Sequence, residues 1–88
     1  MDNLLVKDLK KDQEFFECEY GVNEHYTALE DARRVVNESS DGWECKGRND
    51  VGEVVNFFQD HAITHYGPHL YKTKQYVEQS MIDAWRKK

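Results

Sequence analysis

Asn49-Asp50-Val51-Gly52-Glu53-Val54-Val55-Asn56-Phe57-Phe58-Gln59-Asp60-His61-Ala62 is the stretch whose conformation decides the fold. Asn49 or Asp50 can cap a helix, and Glu53 stands three residues after Asp50. Val51, Val54, Val55, Phe58 and Ala62 fall at helical spacing and make an apolar stripe. Gly67-Pro68 ends the run, because glycine suits the left-handed position after a helix and proline cannot continue the ladder. The stretch therefore predicts a helix.

Toward the N-terminus, Trp43-Glu44-Cys45-Lys46 alternates as a short strand, with Trp43 and Cys45 inward and Glu44 outward. Before it, Thr27-Ala28-Leu29-Glu30 reads as a capping box, opening a helix that buries Leu29, Ala32 and Val36 and ends at Ser39-Ser40-Asp41-Gly42. Glu14 to Tyr20 alternates again. Phe16, Cys18 and Tyr20 are assigned to the core, and Phe15, Glu17 and Glu19 to the other face. Gly21 turns the chain into a second short strand, Val22 to Tyr26. Toward the C-terminus, a last helix over about residues 69–86 places Leu70, Val77, Met81, Ala84 and Trp85 on one side.

The expected architecture is α+β: a small two- or three-stranded sheet with three helices packed on one face, in the order β(β)αβαα. Residues 1–11, with Leu4, Leu5, Val6 and Leu9, form an N-terminal arm or short helix, and residues 12–88 form one compact domain. No apolar run approaches the ~18–20 residues of a membrane helix. The start of the chain lacks the basic and apolar regions of a signal peptide, so a cytoplasmic location is expected. Two cysteines are too few for a disulfide scaffold.

Charge is divided along the chain. Residues 1–60 hold fifteen acidic and seven basic residues, whereas residues 61–88 hold two and five, giving the net charge of −5. A field of one sign selects partners of the other. On the expected sheet, Glu17, Glu19 and Glu44 point to solvent, with Glu14 and Glu24 near the strand ends. These five glutamates make a candidate docking face for a basic surface. A stronger form of the idea spaces the carboxylates like the phosphates of a nucleic acid. Tyr66, His69, Tyr71 and Trp85 are candidate anchors, since aromatic and imidazole rings at a helical corner suit an interface. Exposed aromatics there would also suit a homodimer.

Fingerprints of catalysis are missing. Gly42, Gly47 and Gly52 lack the spacing of a phosphate loop, and both cysteines fall on core positions unsuited to a nucleophile. The lysines and arginines of the C-terminal segment fall short of the dense basic stripe that drives direct nucleic-acid binding. The competing reading is a small metal-stabilised nucleic-acid-binding domain holding zinc through Cys18, Cys45, His61 and His65, of which the two histidines share a helix face at i, i+4. Twenty-six residues separate the cysteines, against two to four in a two-cysteine, two-histidine finger, so the cysteines read as core and no metal or cofactor is expected.

In general character the chain resembles the short acidic reading frames with which phages and mobile elements inhibit or redirect host machinery. The expected function is a small, acidic, non-enzymatic module that binds and modulates a larger protein with a basic surface.

Overall fold

The computed structural model describes residues 4–18, 21–62, 70–72 and 77–87. A short 3-10 turn, Val6–Asp8, precedes β1 (Glu14–Cys18), β2 (Val22–Ala28), β3 (Arg33–Val36), β4 (Asp41–Asn49), β5 (Val54–Asp60), β6 (Leu70–Lys72) and α1 (Gln79–Arg86). All six strands join one antiparallel sheet. β4 is its spine. One edge of β4 pairs with β5 from Gly42 to Arg48, and its other edge pairs first with β3 and then with β2. β1 and β6 continue the sheet beyond β2.

The three-helix expectation is thus overturned: among the described residues there is one α-helix, and the domain is dominated by its sheet. The stretch 49–62 is where the readings part. Asn49 closes a hairpin instead of capping a helix, its Oδ1 accepting the amides of Val51 (3.2 Å) and Glu53 (2.8 Å). Gly52 completes the turn at φ +89°, a left-handed conformation that costs glycine little. Beyond it, Val54 to Asp60, four of them β-branched or aromatic, pair with β4 through seven consecutive positions. Most of the helical stripe is consequently on the surface, with Val51 79%, Val54 53% and Phe58 48% exposed; Val55 packs against the core, and Phe57, outside that stripe, is 5% exposed.

Thr27-Ala28-Leu29-Glu30 is likewise no helix start. Thr27 and Ala28 end β2, and the Leu29 amide donates to the Lys46 carbonyl (2.8 Å), carrying the β2–β4 ladder one step further. Asn37 then turns β3 into β4, its Oδ1 accepting the amides of Ser39 and Ser40, both at 2.9 Å. The last helix shrinks to Gln79–Arg86, and Leu70 belongs to β6.

Both faces of β1 are buried, so the expected division into an inner and an outer face is also corrected. Phe15 stacks on Tyr26 (centroids 5.6 Å apart) and meets Phe57 edge-on (5.3 Å), forming an aromatic core with Val6, Leu9, Ala28 and Cys45. The layer over this face is the N-terminal segment, where Leu5, Val6 and Leu9 are buried and the Leu9 carbonyl accepts the Ala32 amide (2.9 Å). Phe16, Cys18 and Val22 pack on the opposite face beneath Val77 and Ile82. A bulge lets Val22 join them: Glu17 pairs with Glu24 but Cys18 pairs with Val22, so Asn23 is the extra residue. Trp43 and Cys45 do share a face, but it is the Phe15 face and not that of Phe16 and Cys18.

α1 covers only part of the second face. Ile82 is 1% exposed, and Trp85 meets Phe16 edge-on at 6.5 Å. On that same face, β3, β4 and β5 carry Val35, Gly42, Glu44, Val54 and Phe58. Phe58 lies across Gly42, where an added Cβ would stand 2.6 Å from the Gln59 carbonyl oxygen and closer still to the Phe58 ring. Glycine at this position is what leaves room for the ring over β4.

Candidate interaction surface

The Ala28 amide donates to the Gln13 carbonyl (2.8 Å), which fixes the hydrogen-bonding phase of the β1–β2 ladder. In that phase Glu17 and Glu24 form a directly hydrogen-bonded pair, with Cα atoms about 5.5 Å apart and both side chains on one face. On the other side of Glu17, β6 places Tyr71 at the paired position. Glu24, Glu17 and Tyr71 therefore stand in a row across three adjacent strands. Of the nine residues expected at a partner interface, these three are brought together.

Like charges placed directly opposite destabilise a sheet pair. Glu24 offsets part of this cost by accepting the His25 amide on Oε1 (3.1 Å). Neither glutamate forms an ion pair among the described residues. Arg33 and Arg34 are engaged elsewhere. Arg34 grips Asp41 through Nε and Nη2 at 2.8 and 2.9 Å, and Arg33 grips Glu44. These contacts hold the Asp41 and Glu44 carboxyls below the usual carboxylate range, chiefly through the arginine hydrogen bonds. The Arg34 guanidinium is correspondingly raised by its bond to Asp41.

The other predicted glutamates leave this row. Glu44 lies on the opposite face, bound to Arg33. Glu14 is also on the opposite face, where its Oε1 lies 3.1 Å from His25 Nε2. The single continuous acidic face is therefore split by the strand alternation. Trp85 is half-buried against Phe16, which makes it a core contact. Glu19, Tyr66 and His69 lie outside the described residues.

Register alone assembles a constellation that no local spacing announced. His25 is buried, tilted against Phe16 with ring centroids 4.9 Å apart, and held between Asp50 on Nδ1 (2.6 Å) and Glu14 on Nε2 (3.1 Å). A cleft of about 40 Å³ opens beside it, lined by Glu14, Phe16, His25, Gln79, Ile82 and Arg86. That is room for little more than a water molecule. The two carboxylates occupy opposite edges of the ring and cannot converge on one ion. Among the described residues no group of three or more His, Cys, Asp or Glu side chains is placed to hold a metal. The arrangement joins β1, β2 and the β4–β5 turn next to α1.

Cys18 and Cys45, the paired thiols of the zinc reading, sit on opposite faces of the sheet in separate clusters. Burial raises the Cys45 thiol, helped by the negative charge of Glu30, and its Sγ–H donates to the Glu30 carbonyl oxygen (3.2 Å). His61 is exposed after β5, accepting the Trp43 indole N–H on Nδ1 (3.3 Å), and His65 lies outside the described residues.

No helix among the described residues is long and apolar enough to cross a membrane. Comparison with protein-family models, curated proteins and solved structures finds no match.

Proposed function

We propose that this domain is a non-enzymatic interaction module that docks on a cationic surface of a larger protein through the Glu24–Glu17–Tyr71 row. The observation that carries the reading is the direct pairing of Glu17 with Glu24 without an ion-pair partner among the described residues. A cation from a partner would relieve this repulsion, so the row gains more from a lysine or arginine than an isolated surface glutamate does. The net charge of −5 adds long-range steering toward the same class of partner. Tyr71, at the register position beside Glu17, is of the residue type that concentrates binding energy in interfaces.

The test is charge reversal with a matched control. Immobilised wild type, Glu17→Lys/Glu24→Lys and Glu38→Lys/Glu53→Lys differ in where the charge is reversed, while the two variants share the same net charge. Partners eluted by salt from the wild type are expected to disappear with the first variant and persist with the second. Equal loss with both would show that only net charge matters, and the row would not be the docking site.

A further inference from the structure

β5 lies at an edge of the described sheet. Among the described strands it pairs only with β4. The Asn49 amide donates to the Glu53 carbonyl (3.0 Å) and the His61 amide to the Asp41 carbonyl (2.9 Å), so the odd-numbered residues of β5 face β4 with their main-chain groups. Val54, Asn56, Phe58 and Asp60 therefore point theirs away from β4, toward the margin of the sheet, and no described strand pairs with that side.

Such a row of amides and carbonyls is a template for another extended chain, and most proteins blunt it with lysine, proline, a bulge or a very short strand. β5 uses none of these. It runs seven residues without a register shift, and Val54 to Gln59 contains no ionisable side chain and no proline. Two of the large apolar side chains most exposed among the described residues, Val54 and Phe58, stand on it.

We infer that the β5 edge is a self-association surface at which a second copy of this chain pairs antiparallel about a two-fold axis through Asn56. In this register Val54 meets Phe58 of the second copy twice, once on each side of the axis. On the opposite face Val55 meets Phe57 of the second copy. Every cross-strand pair between Val54 and Phe58 thus matches apolar with apolar or asparagine with asparagine, and about six main-chain hydrogen bonds close across three narrow pairs.

Charge selects the same edge. Each copy carries −5, so two copies repel wherever acids meet, and the uncharged window from Val54 to Gln59 is where they can approach. The pairing is isologous and occupies the edge in both copies, so the assembly stops at two.

The register is tested by cross-linking. Asn56 of the two copies would be a narrow pair with Cα atoms about 5.5 Å apart, within disulfide reach. Asn56→Cys is expected to form a disulfide-linked dimer on mild oxidation. Val54→Cys and Phe58→Cys should each stay unlinked alone and cross-link when mixed. Sedimentation of the wild type should show a mass rising with concentration toward twice 10.4 kDa. Val54→Lys/Phe58→Lys should stay monomeric, whereas Val54→Lys/Phe58→Glu should recover the dimer, because the two-fold sets Lys opposite Glu. A wild type that remains monomeric at 0.5 mM, on the order of the concentrations where weak pairing saturates, would overturn the inference. So would cross-linking of Val54→Cys with itself in preference to Asn56→Cys, or growth into large aggregates without the Asn56→Cys dimer.

Discussion

Truncating Phe57 and Phe58 separately distinguishes a strand from a helix at residues 49–62. Phe57 is 5% exposed and meets Phe15 at 5.3 Å and Tyr26 at 4.8 Å, both edge-on. Removing its ring forfeits about 2–3 kcal/mol of transfer energy, and each aromatic contact adds about 0.5–1.5 kcal/mol. Phe57→Ala should therefore cost about 4 kcal/mol, within the range of large-to-small core changes. Phe58 is 48% exposed and its ring lies on Gly42, so Phe58→Ala should cost about 1 kcal/mol. A domain of this size holds about 4–13 kcal/mol in total, and each kcal/mol shifts the melting temperature by about 4–8 °C. Phe57→Ala should lower it by roughly 15–30 °C and Phe58→Ala by roughly 4–8 °C. Urea titration in dilute solution, followed by Trp43 and Trp85 fluorescence, measures both and keeps self-association out of the comparison. Should Phe57→Ala fail to fold, Phe57→Leu against Phe58→Leu preserves the contrast, at about 1.5 against less than 0.5 kcal/mol. Equal losses at the two positions, or a larger loss at Phe58, would refute the strand assignment and restore the helical stripe.

The arginine-held carboxyls make acid stability readable. Asp41 and Glu44 titrate below their usual range in the folded state, so their stabilisation is present above the unfolded carboxylate pKa and is lost as pH falls through the folded values. Arg34→Ala should flatten the decline in urea midpoint between about pH 5 and 3, and an unchanged slope would contradict the assignment. Cys45 is 0% exposed and burial raises its thiol, so a disulfide reagent at neutral pH should modify it only at the rate of unfolding. Rapid stoichiometric labelling of the folded protein at Cys45 would show that its cluster opens.

How legible the fold was depended on whether local periodicity and long-range covering agreed. The alternation of Glu14 to Tyr20 pointed to a strand, of which Glu14–Cys18 is β1, and Trp43 with Cys45 do share a face. Which face could not be read, because Phe15 and Phe16 are adjacent and both are buried. The layer over Phe15 comes from Val6 and Leu9, with Leu4 against them, whose docking follows from tertiary contacts and not from their own pattern. Residues 54–58 carry four apolar side chains in five positions, a density that satisfies helical and strand periods alike. Gly52 and the run of β-branched and aromatic residues were the available discriminants. The polar constellations were less legible. Glu14, His25 and Asp50 meet only through the β1–β2 register and the β4–β5 turn. By contrast, Glu17 and Glu24 were both expected at an interface, but their direct opposition needed the bulge at Asn23 to be located.

The division of charge along the chain becomes, in three dimensions, a division between sheet margins. Strand order places β1 and β6, with the Glu17 row, toward one margin and β5 at the other. Between them, Arg33 and Arg34 are paired with Glu44 and Asp41, so these four charges add little net field. Pairing at β5 would leave both acidic rows free at the outer margins of a continuous two-copy sheet. A partner presenting two cationic patches at matching separation would then be bound with avidity set by that rigid spacing, and a partner with one patch would not. Self-association and acidic docking therefore make a joint demand. The salt-sensitive binding lost with Glu17→Lys/Glu24→Lys should also weaken, for a two-patch partner alone, when Val54→Lys/Phe58→Lys splits the dimer.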